Sequence, residues 1–157
     1  ISLFLIRCVR DSMKSDVCSS DLDQSIPHSM RAGLNEISWG GMDGKLATDT
    51  EHNEYKELLR RWKEGDIEFK MWGGESPVDV QKRQMPVVEE ILQSTHETIL
   101  ICMHGRAIRI LLSLLTNTSL TKMDQFEHGN LCLYVLEIQK NEVTIVHKND
   151  QKHLDHL

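Results

Sequence analysis

The sequence predicts an α/β sandwich built on a mixed sheet. Three observations carry that expectation. The run Thr98–Met103 is apolar and of strand length, and it ends on His104-Gly105. Beyond it Ala107, Ile108, Leu111, Leu112 and Leu115 recur at helical spacing, so the stretch reads as strand, tight turn, helix. A second apolar run, Ile1 to Ile6, opens the chain as another buried strand. Near the end, Leu131 to Ile138 and Val143 to His147 flank a short turn, Gln139 to Glu142, the pattern of an antiparallel hairpin. With two helical stretches in between, the order is β, α, α, β, α, β, β.

The whole chain bounds the function. Its 157 residues suffice for one domain with a real core. The net charge of −6 disfavours nucleic acid and acidic membranes as partners, so an anionic substrate needs a locally basic pocket. No apolar run approaches a membrane span and no signal pattern precedes the first strand, so a soluble, cytoplasmic protein is expected. Cys8, Cys18, Cys102 and Cys132 form no C-x-x-C pair and no zinc spacing. Cys102 and Cys132 read as buried free thiols. No metal or cofactor is expected, and the oligomeric state is not legible.

Taken in order, the first strand ends on Arg7. A guanidinium there suits a phosphate or carboxylate, and equally an ordinary surface position. Residues 8–22 are polar and without period; they read as a foreign or disordered insert and are set outside the fold reasoning. Leu34 to Gly44, with three glycines and Trp39, reads as a structured loop. Glu36, just before its bend, is a proton donor if partly buried beside the Trp, and otherwise a solvated loop residue. Thr50 to Lys63 is a helix with the stripe Tyr55, Leu58, Leu59, Trp62, capped by Thr50 with Asn53 in place of the capping-box acid, and ended by Gly65. Ser76 caps a second helix with Pro77 in its first turn. That helix runs to about Gln93 with Val80, Val87, Val88, Ile91 and Leu92 inward, and Pro86 is expected to bend or break it. His147, His153 and His156 in the polar tail lack metal-site spacing and read as exposed.

His104 therefore stands at the carboxyl end of a strand and the amino end of a helix. Ligands of open α/β sheets bind at that edge, and the free N–H groups and helix dipole favour an anion. Gly105 lets the backbone approach closely.

Four pieces together resemble the histidine phosphatase superfamily, in its phosphoglycerate mutase-like branch. They are Leu3-Phe4-Leu5-Ile6-Arg7, Leu34-Asn35-Glu36-Ile37-Ser38-Trp39-Gly40 with Gly44, Gly74-Glu75-Ser76 followed by Arg83, and Met103-His104-Gly105. Asn149-Asp150 with His153-Leu154 is similar to family tails. The resemblance implies a three-layer sandwich with a mixed, mostly parallel sheet. It implies phosphomonoester hydrolysis through a phosphohistidine, with a small phosphorylated metabolite as substrate and no metal. Arg7, His104 and Gly105 would bind phosphate, and Glu36 would be the acid; mutase-type phosphotransfer is the family's other chemistry.

The departure is equally specific. The family's nucleophile follows the Arg directly, and here that position is Cys8, with Val9 for the Gly. A second phosphate-binding Arg, expected on a helix before the Glu loop, has no match. The resemblance thus implies a parent phosphatase of which this chain is a spliced or truncated, impaired copy. A cysteine phosphatase loop needs Arg six residues after its Cys, whereas Lys14 and Ile108 occupy those places. A non-catalytic anion-binding or interaction domain is the alternative, and a Cys8–His104 hydrolase a third.

Overall fold

The computed structural model describes residues 1–7, 27–44, 48–140 and 142–155. The expected insert 8–22, Cys8 within it and His156 lie outside these. Strands β1 (Ser2–Arg7), β2 (Thr98–Met103), β3 (Leu133–Gln139) and β4 (Glu142–Asp150) form one sheet in the order β2-β1-β3-β4. Helices α1 (Asp49–Glu64), α2 (Pro77–Leu92) and α3 (Gly105–Leu115) complete the described core.

The α/β sandwich and the mixed sheet hold, but the expected excess of parallel pairing does not. Among the described residues β1–β2 is parallel, while β1–β3 and β3–β4 are antiparallel. The reason lies in the connections. A β1–β2 pair has helices between its strands and can cross over, whereas the short turn after Gln139 permits only a hairpin. The hairpin adds its strands to the other side of β1.

Alternation decides which sheet face is covered. Leu3 and Leu5 of β1, Ile101 and Met103 of β2, and Tyr134, Leu136 and Ile138 of β3 share a face and are buried against α2 and α3. On the other face Phe4 and Cys102 are half-buried and Leu100 is exposed. Cys132 is fully buried as expected, whereas Cys102 is only half-buried, and that burial raises its thiol pKa. A second cluster, Ile37, Leu58, Trp62, Val80, Ile110, Leu120 and Met123, ties α1 to the other helices.

Local signals explain the helix limits. The cap of α1 is Thr48 rather than Thr50. Thr48 accepts from the Glu51 N–H while Glu51 accepts from the Thr48 N–H, a complete capping box two residues earlier than expected. Gly65 closes the helix in the left-handed region, at φ 114°. Ser76 and Asp79 form the corresponding box on α2, with Pro77 in the first turn. There Lys70 first, then the Ser76 N–H, hold the Asp79 carboxyl down to about 2. Pro86 does not break α2, which runs through it to Leu92. Its missing N–H would have served the Lys82 carbonyl, and both residues are exposed, so water can take that bond.

Candidate active site

The site is organised by the start of α3. His104 has extended backbone and is the residue before the helix, yet its side chain does not cap it. Among the described residues its imidazole has no hydrogen-bond partner, and it is half-buried. Arg7 pairs in register with Met103, so the ends of β1 and β2 bring Arg7 and His104 to the same sheet edge; the Arg7 side chain is outside the described part.

Glu36 does the capping instead. Its Oε2 accepts the Arg106 N–H at 3.0 Å, and its Oε1 accepts the Ala107 N–H at 2.8 Å and the Ile37 N–H at 2.8 Å. A loop carboxylate thus satisfies helix donors that would otherwise need water, next to the positive end of the α3 dipole. The structure brings Glu36 and the His104-Gly105 turn together across about 70 residues of chain.

The Glu36 loop is held from two sides. Asp43 folds it: Oδ2 accepts from the Ser38 hydroxyl at 2.7 Å and Oδ1 from the Trp39 N–H at 2.7 Å. From the other side the 72–75 turn zips onto it, through Gly41 N–H to Trp72 O at 2.9 Å and Glu75 N–H to Ser38 O at 2.8 Å. The approach is so close that a Cβ on Gly40 would lie 2.2 Å from Trp72 O, and one on Gly74 2.3 Å from Ser38 O. Those two glycines are what the contact needs. Beneath the loop Trp39 meets Tyr55 edge-on, with ring centroids 5.3 Å apart, and stacks on Trp62 at 6.2 Å.

Arg106, unremarked in the sequence, closes the floor. Its guanidinium lies 5.8 Å over Trp62, donates to Tyr55 at 3.3 Å, and pairs with Asp124, which also pairs with Arg109. Burial pushes the Asp124 carboxyl up, but Arg106 and Arg109 outweigh it and hold it below its usual range. A cavity of about 540 Å³ lies elsewhere, lined by residues such as Thr116, Phe126, Tyr134 and Lys148, and includes neither Glu36 nor His104.

Gln84 was also missed. It is fully buried and donates to Ala107 O at 2.9 Å. The signal was available: a polar residue on the inward stripe four residues after Val80.

The family model described as histidine phosphatase superfamily (branch 1) matches residues 18–151. Among curated relatives, 6-phosphofructo-2-kinase 1 of Saccharomyces cerevisiae is 30% identical over 112 residues, 71% of this chain but 13% of that protein. A candidate phosphoserine phosphatase 2 of Hydrogenobacter thermophilus is 23% identical over 124 residues, 79% of this chain and 61% of that one. The chain therefore spans less than two thirds of either relative. In fold it resembles the alpha-ribazole phosphatase from Shigella flexneri, with a TM-score of 0.74 at 16% identity over 96% of each chain.

Proposed function

The chain belongs to the histidine phosphatase superfamily, and from that premise we propose that its His104 edge is a phosphomonoester site with Glu36 as the acid–base group. The observation that carries this reading is the Glu36 carboxylate planted on the N–H groups of Arg106 and Ala107, immediately after His104-Gly105. A proton donor and an anion-binding turn then share one small space.

The chemistry follows from the groups available. A phosphoryl group at this edge meets Arg7, His104 and the Gly105 N–H, which stabilise charge on its equatorial oxygens. Oε1 of Glu36 already accepts two N–H groups and Oε2 one, so Oε2 is the oxygen with capacity to carry a proton. It gives that proton to the leaving oxygen as the P–O bond breaks. Glu36 later takes a proton from the water that attacks the phosphoenzyme. In the family-type reaction a histidine after the Arg forms the P–N bond of that intermediate. This chain has Cys8 there, so it binds phosphomonoesters and turns them over poorly. The substrate class is a small phosphorylated metabolite, phosphoserine among those to try, because a relative carries that name. The Cys8 substitution favours a second reading, a non-catalytic anion-binding domain.

Thermal melts at fixed ionic strength with phosphate, vanadate and chloride test the site, since a ligand of the folded form alone raises Tm. Phosphate or vanadate should exceed chloride, with an affinity on the order of millimolar. Arg7→Ala and His104→Ala should each abolish the gain; a gain that survives both refutes the site. Metal-independent release of phosphate from an aryl ester separates the two readings. Robust turnover overturns the impairment, and none at all, with binding intact, favours the second reading.

A further inference from the structure

We infer that α2 is the positioning element of this site: Arg83 and Gln84, with Glu75, set where the Glu36 carboxylate meets the start of α3. The inference rests on the proposed role of Glu36. Arg83 Nη2 donates to the Glu36 carbonyl at 2.9 Å, and Nη1 donates to the Gly33 carbonyl at 2.7 Å. Its Nε and Nη2 also meet Glu75 Oε1 and Oε2 at 2.8 and 3.0 Å. Glu75 Oε2 in turn accepts the Ser38 N–H at 2.9 Å. The Glu36 carbonyl and the Ser38 N–H are thereby pinned to α2 and its entry turn, in addition to the bonds that Asp43 makes within the loop. Gly33 shows how tightly, because a Cβ there would lie 2.4 Å from Arg83 O.

The next residue grips the other partner. Gln84 Nε2 donates to the carbonyl of Ala107, the residue whose N–H Glu36 receives at 2.8 Å. Consecutive residues of α2 therefore hold the two sides of one contact, the acid's loop and the helix it caps. Gln84 Oε1 is buried without a partner among the described residues. Such an atom costs stability that an apolar side chain of the same size would not. A residue serving only the core has no need of it, whereas a residue placing Ala107 needs the amide. Arg83 is equally particular. A lysine carries the charge but not the planar fork that spans two carbonyls and a carboxylate.

Amide hydrogen exchange on the full chain tests this without requiring turnover. Glu36→Ala, Arg83→Lys and Gln84→Met are compared with the unaltered protein. The Arg106 and Ala107 N–H groups have Glu36 as their acceptor, so Glu36→Ala should speed exchange at both. Arg83→Lys and Gln84→Met should speed the same two amides roughly tenfold, while Leu111 and Leu112 inside α3 keep their protection. Unchanged exchange at Arg106 and Ala107 in these two variants overturns the inference, and so does uniform acceleration along α3, the mark of a merely structural role. Gln84→Met conserves volume and removes a polar atom, so it keeps the test alive if Arg83→Lys unfolds. The underlying reading fails separately: if Glu36→Ala leaves both amides unchanged, Glu36 is not where the site needs it.

Discussion

Helices α1 and α2 are written in the same local code and used differently. Each has 16 residues, and each opens with a capping box. Helix α1 pairs its charges with near neighbours in the chain, Arg60 with Glu57 and Glu64, and Arg61 with Glu57 and with Asp66 just past the helix end. Helix α2 sends Arg83 and Gln84 across the chain, to carbonyls 50, 47 and 23 residues away. Propensity and capping decide that a helix forms; what it does depends on whether its polar groups end in water or on another segment's backbone. Helix α1 is held by its apolar stripe, while α2 joins the Glu36 loop to the start of α3 through Arg83 and Gln84.

The largest effect should come from removing the stripe. Trp62 is 1% exposed, stacks on Trp39 and donates its indole N–H to Phe69 O at 2.8 Å. Trp62→Ala should cost about 3–5 kcal/mol, read from urea unfolding. Retention of near-full stability would mean that α1 is not anchored through its apolar face, and the comparison would lose one side.

Arg83→Met comes next. The alkyl stem still packs, but Glu75 loses its cation and two carbonyls lose their donors. The pair is about three-quarters buried, with side chains 23% and 25% exposed. A loss of about 2–3 kcal/mol is expected, together with a smaller phosphate-induced rise in Tm. If stability falls but the phosphate response stays whole, Arg83 belongs with Trp62 as packing and the contrast between the helices collapses.

How much of this was legible follows from the range of each signal. The turn at His104 and the helix after it were plain, because a strong apolar period changes from strand to helix at a glycine. The start of α1 was misplaced because Thr48 and Thr50 are both competent caps; Glu51, three residues beyond Thr48, decides between them. The parallel bias came from family resemblance, and the hairpin after Gln139 overrode it. The Glu36 contact was invisible for a physical reason. Its partners are backbone N–H groups, which carry no side-chain signature, and they sit 70 and 71 residues away. The family resemblance put Glu36 and His104 in one site, but the contact between Glu36 and the start of α3 is visible only in the fold. Gln84, passed over in the sequence, stands as a polar residue on the inward stripe of α2, but nothing there hints at the Ala107 carbonyl it bonds.

Acid sharpens the contrast further. Burial pushes the Glu75 carboxyl up, but Arg83 and the Ser38 N–H outweigh it and hold it below its ordinary value. A carboxyl whose folded pKa is depressed adds stability that is complete above its unfolded pKa and is lost as pH falls through the folded one. Unfolding free energy should therefore decline below the ordinary glutamate range, near pH 4. Glu75→Gln, which keeps an acceptor for Ser38 but no charge for Arg83, should be less stable at neutral pH and show a shallower acid limb. Parallel acid limbs for the two proteins would show that Glu75 is not linked to folding in this way.

The smallest effect is expected where the ion pairs are most numerous. Arg60 contacts both Glu57 and Glu64, and its nearest approaches are short; Arg60 holds the Glu57 carboxyl down to about 2. All three side chains are nonetheless largely in solvent, 53%, 44% and 60% exposed. Water screens such pairs, and ordering long side chains offsets most of what attraction remains. Arg60→Ala also keeps the best helix former at that position. Its urea midpoint should match that of the unaltered chain, in low and in high salt alike. The corresponding change on α2, Arg83→Met, alters both stability and anion response, although it removes the same guanidinium from a helix of the same length. A clear, salt-sensitive loss in Arg60→Ala would place the charges of α1 among its structural supports, and exposure would no longer separate the two helices.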